Sequence, residues 1–106
     1  MTYRKAVVYY DERRCGILEE TDMGYRFTYD REYFLDGKAK PVSLTLPKDR
    51  QVYESGILFP FFDGLIPEGF LLNCVITHWG LSLQDRFGAL LKSASDSIGA
   101  VWLREE

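Results

Sequence analysis

Hydrophobic positions change their spacing about midway along this chain, and in the first half they follow the pattern of strands. Ala6-Val7-Val8-Tyr9-Tyr10 is a β-branched and aromatic run closed by Asp11-Glu12. Tyr25, Phe27 and Tyr29 alternate with Arg26, Thr28 and Asp30, the period of a half-buried strand. Residues 15–20 pair with 25–29 across the turn Thr21-Asp22-Met23-Gly24, so the pattern predicts a meander of three antiparallel strands. Asp30 has the character of an N-cap for a short helical turn over 31–35, ended by Asp36-Gly37. Val42, Leu44 and Leu46 alternate with Ser43 and Thr45 between Pro41 and Pro47, which predicts a short strand near a sheet edge.

The second half takes up helical spacing. It opens on LFPFFDGLIPEGFLL, residues 58–72, where nine of fifteen positions are large and apolar but prolines, glycines and carboxylates interrupt the run. The segment divides into a helical turn, a break at Asp63-Gly64 and a second helix with Pro67 in its first turn. Leu72, Val75, Ile76 and Trp79 share a face of that helix, with Trp79 expected to complete the core, and Gly80 is a natural terminator. A further helix starts at Ser82, with Asp85 three residues on as in a capping box, and carries Phe87, Leu90 and Leu91 inward. The polar turn Ser93-Ala94-Ser95-Asp96-Ser97 leads to a last strand over 98–103. The sum is one α+β domain spanning residues 1–106: a small antiparallel β-sheet, a meander plus a C-terminal strand, with two main α-helices packed on it.

Composition narrows the range of functions. The chain has 106 residues, 46% of them hydrophobic and 27% charged, the balance of a globular domain able to bury one core. A net charge of −3 and no Lys/Arg run argue against direct nucleic-acid binding. No stretch has the length of a membrane span or the form of a signal peptide, so a cytoplasmic location without membrane contact is expected. Cys15 and Cys74 lie far apart, and with one histidine, His78, they form no zinc spacing; two separate thiols are expected, with no metal or cofactor.

Catalytic chemistry finds little purchase. Asp63 and Glu68 are the close carboxylate pair in an apolar setting, a candidate for acid–base work. Turn geometry at Asp63-Gly64 and the helix dipole near Glu68 account for both more simply. His78-Trp79 at a helix end reads as structural on the same reasoning. No nucleophile elbow, phosphate loop or dinucleotide fingerprint occurs. Binding is the stronger reading. Leu58, Phe62 and Leu65 have the spacing of one inward face, leaving Phe61, Ile66 and Phe70 to form either more core or a contact patch. The pattern leaves those two outcomes open.

Three ordered blocks, PVSLTLP at 41–47, LFPFFDGLIPEG at 58–69 and DRFGALLKSASDSIGAV at 85–101, resemble the N-terminal subdomain of HipA-type serine/threonine kinases. Ala94 and Gly64 stand where that family more often has Gly and Asn. The kinase chemistry of such proteins follows this subdomain. The chain here stops at Arg104-Glu105-Glu106 with no ATP-binding lysine, catalytic aspartate loop or metal-binding aspartate motif. The resemblance therefore implies a bacterial, non-enzymatic antitoxin of the HipS type from a tripartite HipBST toxin–antitoxin system. It would bind and inhibit a HipT-like serine/threonine kinase toxin, and meet a HipB-like DNA-binding protein in a ternary complex, touching DNA only indirectly. The expected kinase-contact residues are Phe61, Phe62, Asp63, Leu65, Ile66, Pro67, Glu68 and Phe70. Other readings are a non-inhibitory subunit that completes the kinase or bridges it to the HipB-like regulator, an excised kinase fragment, or an independent small-molecule enzyme.

Overall fold

In the computed structural model, which describes residues 3–94 and 100–106, β1 (Lys5–Tyr10), β2 (Arg13–Thr21) and β3 (Gly24–Tyr29) form the expected antiparallel meander. Gly24 sits at φ 138°, and a Cβ there would lie 2.2 Å from the Ser55 carbonyl oxygen, so the β2–β3 turn needs glycine twice over. The sheet gains β4 (Val52–Ser55) beside β3 and β5 (Val101–Glu105) beside β1, in the order β4-β3-β2-β1-β5, all antiparallel. Residues 101–103 of the expected last strand belong to β5 and Ala100 before them is a bend; positions 95–99, which include Ile98 and Gly99 of that strand and most of the polar turn before it, lie outside the described residues.

One sheet face carries the core. Val8, Leu18, Phe27, Tyr29 and Leu103 are fully buried there, and the Phe27 and Tyr29 rings meet edge to face at 4.8 Å. The opposite face includes a cross-strand row of alternating charge, Lys5, Glu19, Arg26 and Glu54, in which Arg26 hydrogen-bonds both carboxylates.

The strand expected over 42–46 is absent. Leu46 donates its N–H to the Ser43 carbonyl, the Ser43 hydroxyl accepts from the Thr45 N–H, and Leu44 points outward at 93% exposure. The Tyr29 hydroxyl explains the difference, because it accepts from the Val42 N–H and donates to the Leu46 carbonyl. Both ends of the segment are thus held to β3 by a side chain, and Val42 and Leu46 enter the core as a turn.

Among the described residues there are four helices: α1 (Arg31–Leu35), α2 (Pro60–Asp63), α3 (Gly69–Trp79) and α4 (Arg86–Ser93). Asp30 makes no side-chain cap to α1 and pairs with Arg14 at 2.8 Å instead. Helix α4 begins four residues after Ser82. Ser82 accepts from the Gln84 N–H in a local turn, while Asp85 is the N-cap and accepts from the Gly88 N–H at 3.0 Å. Phe87, Leu90 and Leu91 are buried as the spacing predicts, and α4 lies on the sheet beside β5. Helix α3 rests against α4 rather than on the sheet.

Arg4 ties the start of the sheet to α4. Its guanidinium forms paired bonds of 2.9–3.0 Å to Glu20 and of 2.9 Å to Asp85. The bonds from Arg4 hold both carboxyls below their usual range. A carboxyl with a depressed folded pKa contributes stability that is complete above its unfolded value and is lost as pH falls through the folded one. Thermal stability is therefore expected to be level above about pH 5 and to fall below about pH 4. In Arg4→Met the plateau should drop and the acid limb flatten, as melting temperatures followed by circular dichroism across pH will show.

Candidate functional site

Residues 58–83 build a shoulder that meets the core face of the sheet through Phe62 against Phe27 and leans on α4 through α2 and α3. Its inner part is core. Pro60 opens α2 at N1, where a missing N–H is harmless, and Gly64 closes the helix with its N–H bonded to the Pro60 carbonyl. The coil continues for one more turn through bonds from Leu65 to Phe62 and from Ile66 to Asp63. That extra turn swings Ile66 inward.

The expected contact residues consequently divide. Phe62 (0% exposed), which the spacing already places on an inward face, and Ile66 (4%) are core, so neither side chain is available at the surface. The Phe62 ring lies 5.5 Å from Phe27 and 5.2 Å from Phe61, at the centre of an aromatic cluster, and α2 can hold the shoulder on the sheet only by burying it. Phe61, Asp63, Leu65 and Pro67 are half-buried, and Glu68 and Phe70 are exposed. Asp63 is engaged by Arg86 through two bonds of 2.9 and 3.1 Å, which staple α2 to α4. With Asp63 neutralised in this way and Glu68 exposed on the outside of the bend, the two carboxyls do not make an acid–base pair around a pocket.

Pro67 does not open α3. Glu68, the N-cap, is extended (φ −120°, ψ 166°) and Gly69, the first residue of the helix, is left-handed (φ 61°), so the chain makes a sharp reversal as the helix begins. This reversal sends Phe70 and Leu71 outward, 78% and 62% exposed. No residue of α3 is buried: Leu72, Val75 and Ile76 are half-covered by the side turned to α4. Trp79, expected in the core, is 51% exposed, with the Lys92 ammonium 4.8 Å from its ring centre and the His78 ring edge-on at 5.0 Å. Leu83 beyond the helix is also exposed.

The sequence signal for this surface is an absence of charge. GFLLNCVITHW contains no Asp, Glu, Lys or Arg, yet the fold gives it one neighbouring helix instead of a core. An apolar, uncharged helix left half open, continuous with Phe61, Leu65 and Pro67, is what a protein-docking surface looks like. Cys74 lies exposed in the middle of it, whereas burial pushes the Cys15 thiol up to about 12. Among the described residues no group of three or more His, Cys, Asp or Glu is placed to hold a metal ion, and no helix is long and apolar enough to cross a membrane.

Comparison with known proteins gives this geometry a context. The family profile described as HipA N-terminal domain matches residues 6–104. A solved structure described as the N-terminal domain of HipA toxin superposes with a TM-score of 0.75 at 27% identity, covering 97% of this chain and 92% of that one. An uncharacterized protein of Haemophilus influenzae is 34% identical over 91 residues, which is 86% of this chain and 82% of the relative. A putative kinase of Sinorhizobium fredii, Y4mE, is 30% identical over 107 residues, and there the match spans 26% of the relative's length.

Proposed function

The chain belongs to the HipA N-terminal domain family, and from that premise we propose that it acts as a HipS-type antitoxin. It docks through the α2–α3 shoulder on a HipT-like serine/threonine kinase toxin and holds it inactive. The observation that carries the reading is α3 itself, a helix without charged side chains and without one buried residue, on a domain that its relatives use in two ways. In the putative kinase the domain is about a quarter of a longer chain, and in the Haemophilus protein it is most of the chain. A face that the rest of a kinase covers in the first arrangement is open to a separate kinase in the second.

Phe70 and Leu71 are the anchors of this contact, flanked by Phe61, Leu65, Pro67 and Glu68, with Asp63 holding the bend through Arg86. Inhibition follows from preference. A subunit that binds an inactive arrangement of the kinase more tightly than the active one shifts the population in proportion to that difference. The chain supplies no catalytic group to the reaction, and a HipB-like partner provides the route to DNA.

Two measurements test the reading together. Adding the chain to its neighbouring kinase should suppress autophosphorylation and, on co-expression, restore growth. Dilute complex should also shield Cys74 from maleimide while Cys15 stays unreactive throughout. Shielding of Cys74 with undiminished phosphorylation would mark the non-inhibitory bridging subunit; free Cys74 in a stable complex would remove α3 from the contact.

A further inference from the structure

We propose that α3 is a separately opening arm of the domain, which leaves α4 and melts as one unit while the sheet, α2 and α4 stay folded. Lys92 is the latch that holds it closed. The moving part is bounded by fixed points. Before it, Ile66 is 4% exposed and Arg86 holds Asp63 by two bonds. After it, Leu81 packs against the core, and residues 87–91 of α4 are buried. Both junctions are left-handed glycines, Gly69 at φ 61° and Gly80 at φ 65°. A Cβ on either would meet nothing within 4 Å, so no packing fixes these backbone angles, in contrast to the crowded Gly24. A glycine with open space around it is free to leave the left-handed region as the arm moves.

Little holds the arm down. None of its residues is buried, and it leans on α4 through Leu72, Val75 and Ile76, of which Leu72 touches the core. Among the described residues, no side-chain hydrogen bond or ion pair runs from α3 to the rest of the domain. The charged contact is with Lys92, whose ammonium is fixed 2.7 Å from Glu105 of β5 and lies 4.8 Å from the ring centre of Trp79. It thus pins the last turn of α3 to α4 and the sheet edge. A segment with few buried contacts opens at a fraction of the global free energy. Once off α4, a helix of 11 residues is shorter than the roughly 12–15 that hold together in water, so leaving and melting coincide.

Phe70 and Leu71 keep fixed positions only while the arm is closed. On the function proposed above, on which this consequence rests, the open fraction does not bind and lowers the apparent affinity for the kinase in proportion. Docking in turn orders the arm, so the latch and the kinase reinforce each other.

Hydrogen exchange on the isolated chain, followed residue by residue by NMR in low urea, tests the arm. Amides 73–79 should share one opening equilibrium with weak urea dependence, and exchange about a hundredfold or more faster than those of β1 and β3. Lys92→Met should speed all of them alike, by about two- to fivefold. Val8→Ala weakens a buried contact that the open form keeps, so it should speed exchange in the sheet and leave 73–79 unchanged. Amides 73–79 that exchange only together with the sheet, that fray progressively from one end, or that do not respond to Lys92→Met overturn the proposal. An inhibited kinase complex in which exchange at 73–79 is unaltered would instead overturn docking through α3, and the arm would stand.

Discussion

Phe62→Ala is expected to remove a large share of the domain's folding free energy. Phe62 has no exposed surface, and its ring contacts those of Phe27, Phe59 and Phe61. Truncating a buried phenylalanine costs about 3–5 kcal/mol, against a total of about 5–15 kcal/mol for a typical domain. The melting temperature should fall by on the order of 12 °C or more, measured by circular dichroism with urea denaturation alongside. Ile66→Asp belongs to the same class, since it places a carboxylate among apolar side chains that offer it no partner. Any loss of either variant in an antitoxin assay would track its loss of stability, and a Phe62→Ala variant as stable as the parent would show that the shoulder is not anchored by its aromatic cluster.

Phe70→Asp should do the reverse, keeping the fold and losing the partner. The ring is 78% exposed, so its removal opens no cavity, and an acidic residue in the first turn of α3 suits the helix dipole. Its melting temperature should stay near that of the parent. If Phe70 is an anchor, binding to the kinase weakens by about 2 kcal/mol or more, roughly 30-fold in Kd, as titration calorimetry on the purified kinase will read. An unchanged Kd in a folded variant would move the contact off α3. Seven residues and one reversal of the chain separate these two phenylalanines in opposite roles.

That contrast shows what the amino-acid pattern carries and where it stops. The meander is legible because Tyr25, Phe27 and Tyr29 alternate and Gly24 marks the turn, all local signals. β4 gives no such signal: it is a strand because it pairs with β3, with Tyr53 opposite Phe27. Residues 42–46 alternate and yet form a turn, because a hydroxyl thirteen positions before Val42 takes its N–H. Asp85 looks like the third residue of a helix started at Ser82, until Arg4, far away in sequence, fixes it as the cap. At the shoulder the pattern finds the right segment and the bend within it. It cannot sort Ile66 inward from Phe70 outward, because that depends on one extra turn of coil after α2 and on the conformations of Glu68 and Gly69. Trp79 fails for the converse reason, as helical spacing predicts a shared face but not whether a core lies opposite it.

The pairing of β5 with β1 sets Glu105 beside Ala6, so the last strand of the sheet leaves the domain next to where the first one enters. A domain built this way can be joined to a following polypeptide at a single seam, and the seam adds nothing to its internal packing. What the joint does supply is proximity. A short flexible connection presents the neighbouring domain at an effective concentration on the order of millimolar. A copy acting from a separate chain at micromolar abundance has to recover that thousandfold difference, about 4 kcal/mol, from the contact alone. Two well-seated apolar anchors are enough to recover it, and Phe70 and Leu71 stand side by side at the open end of α3.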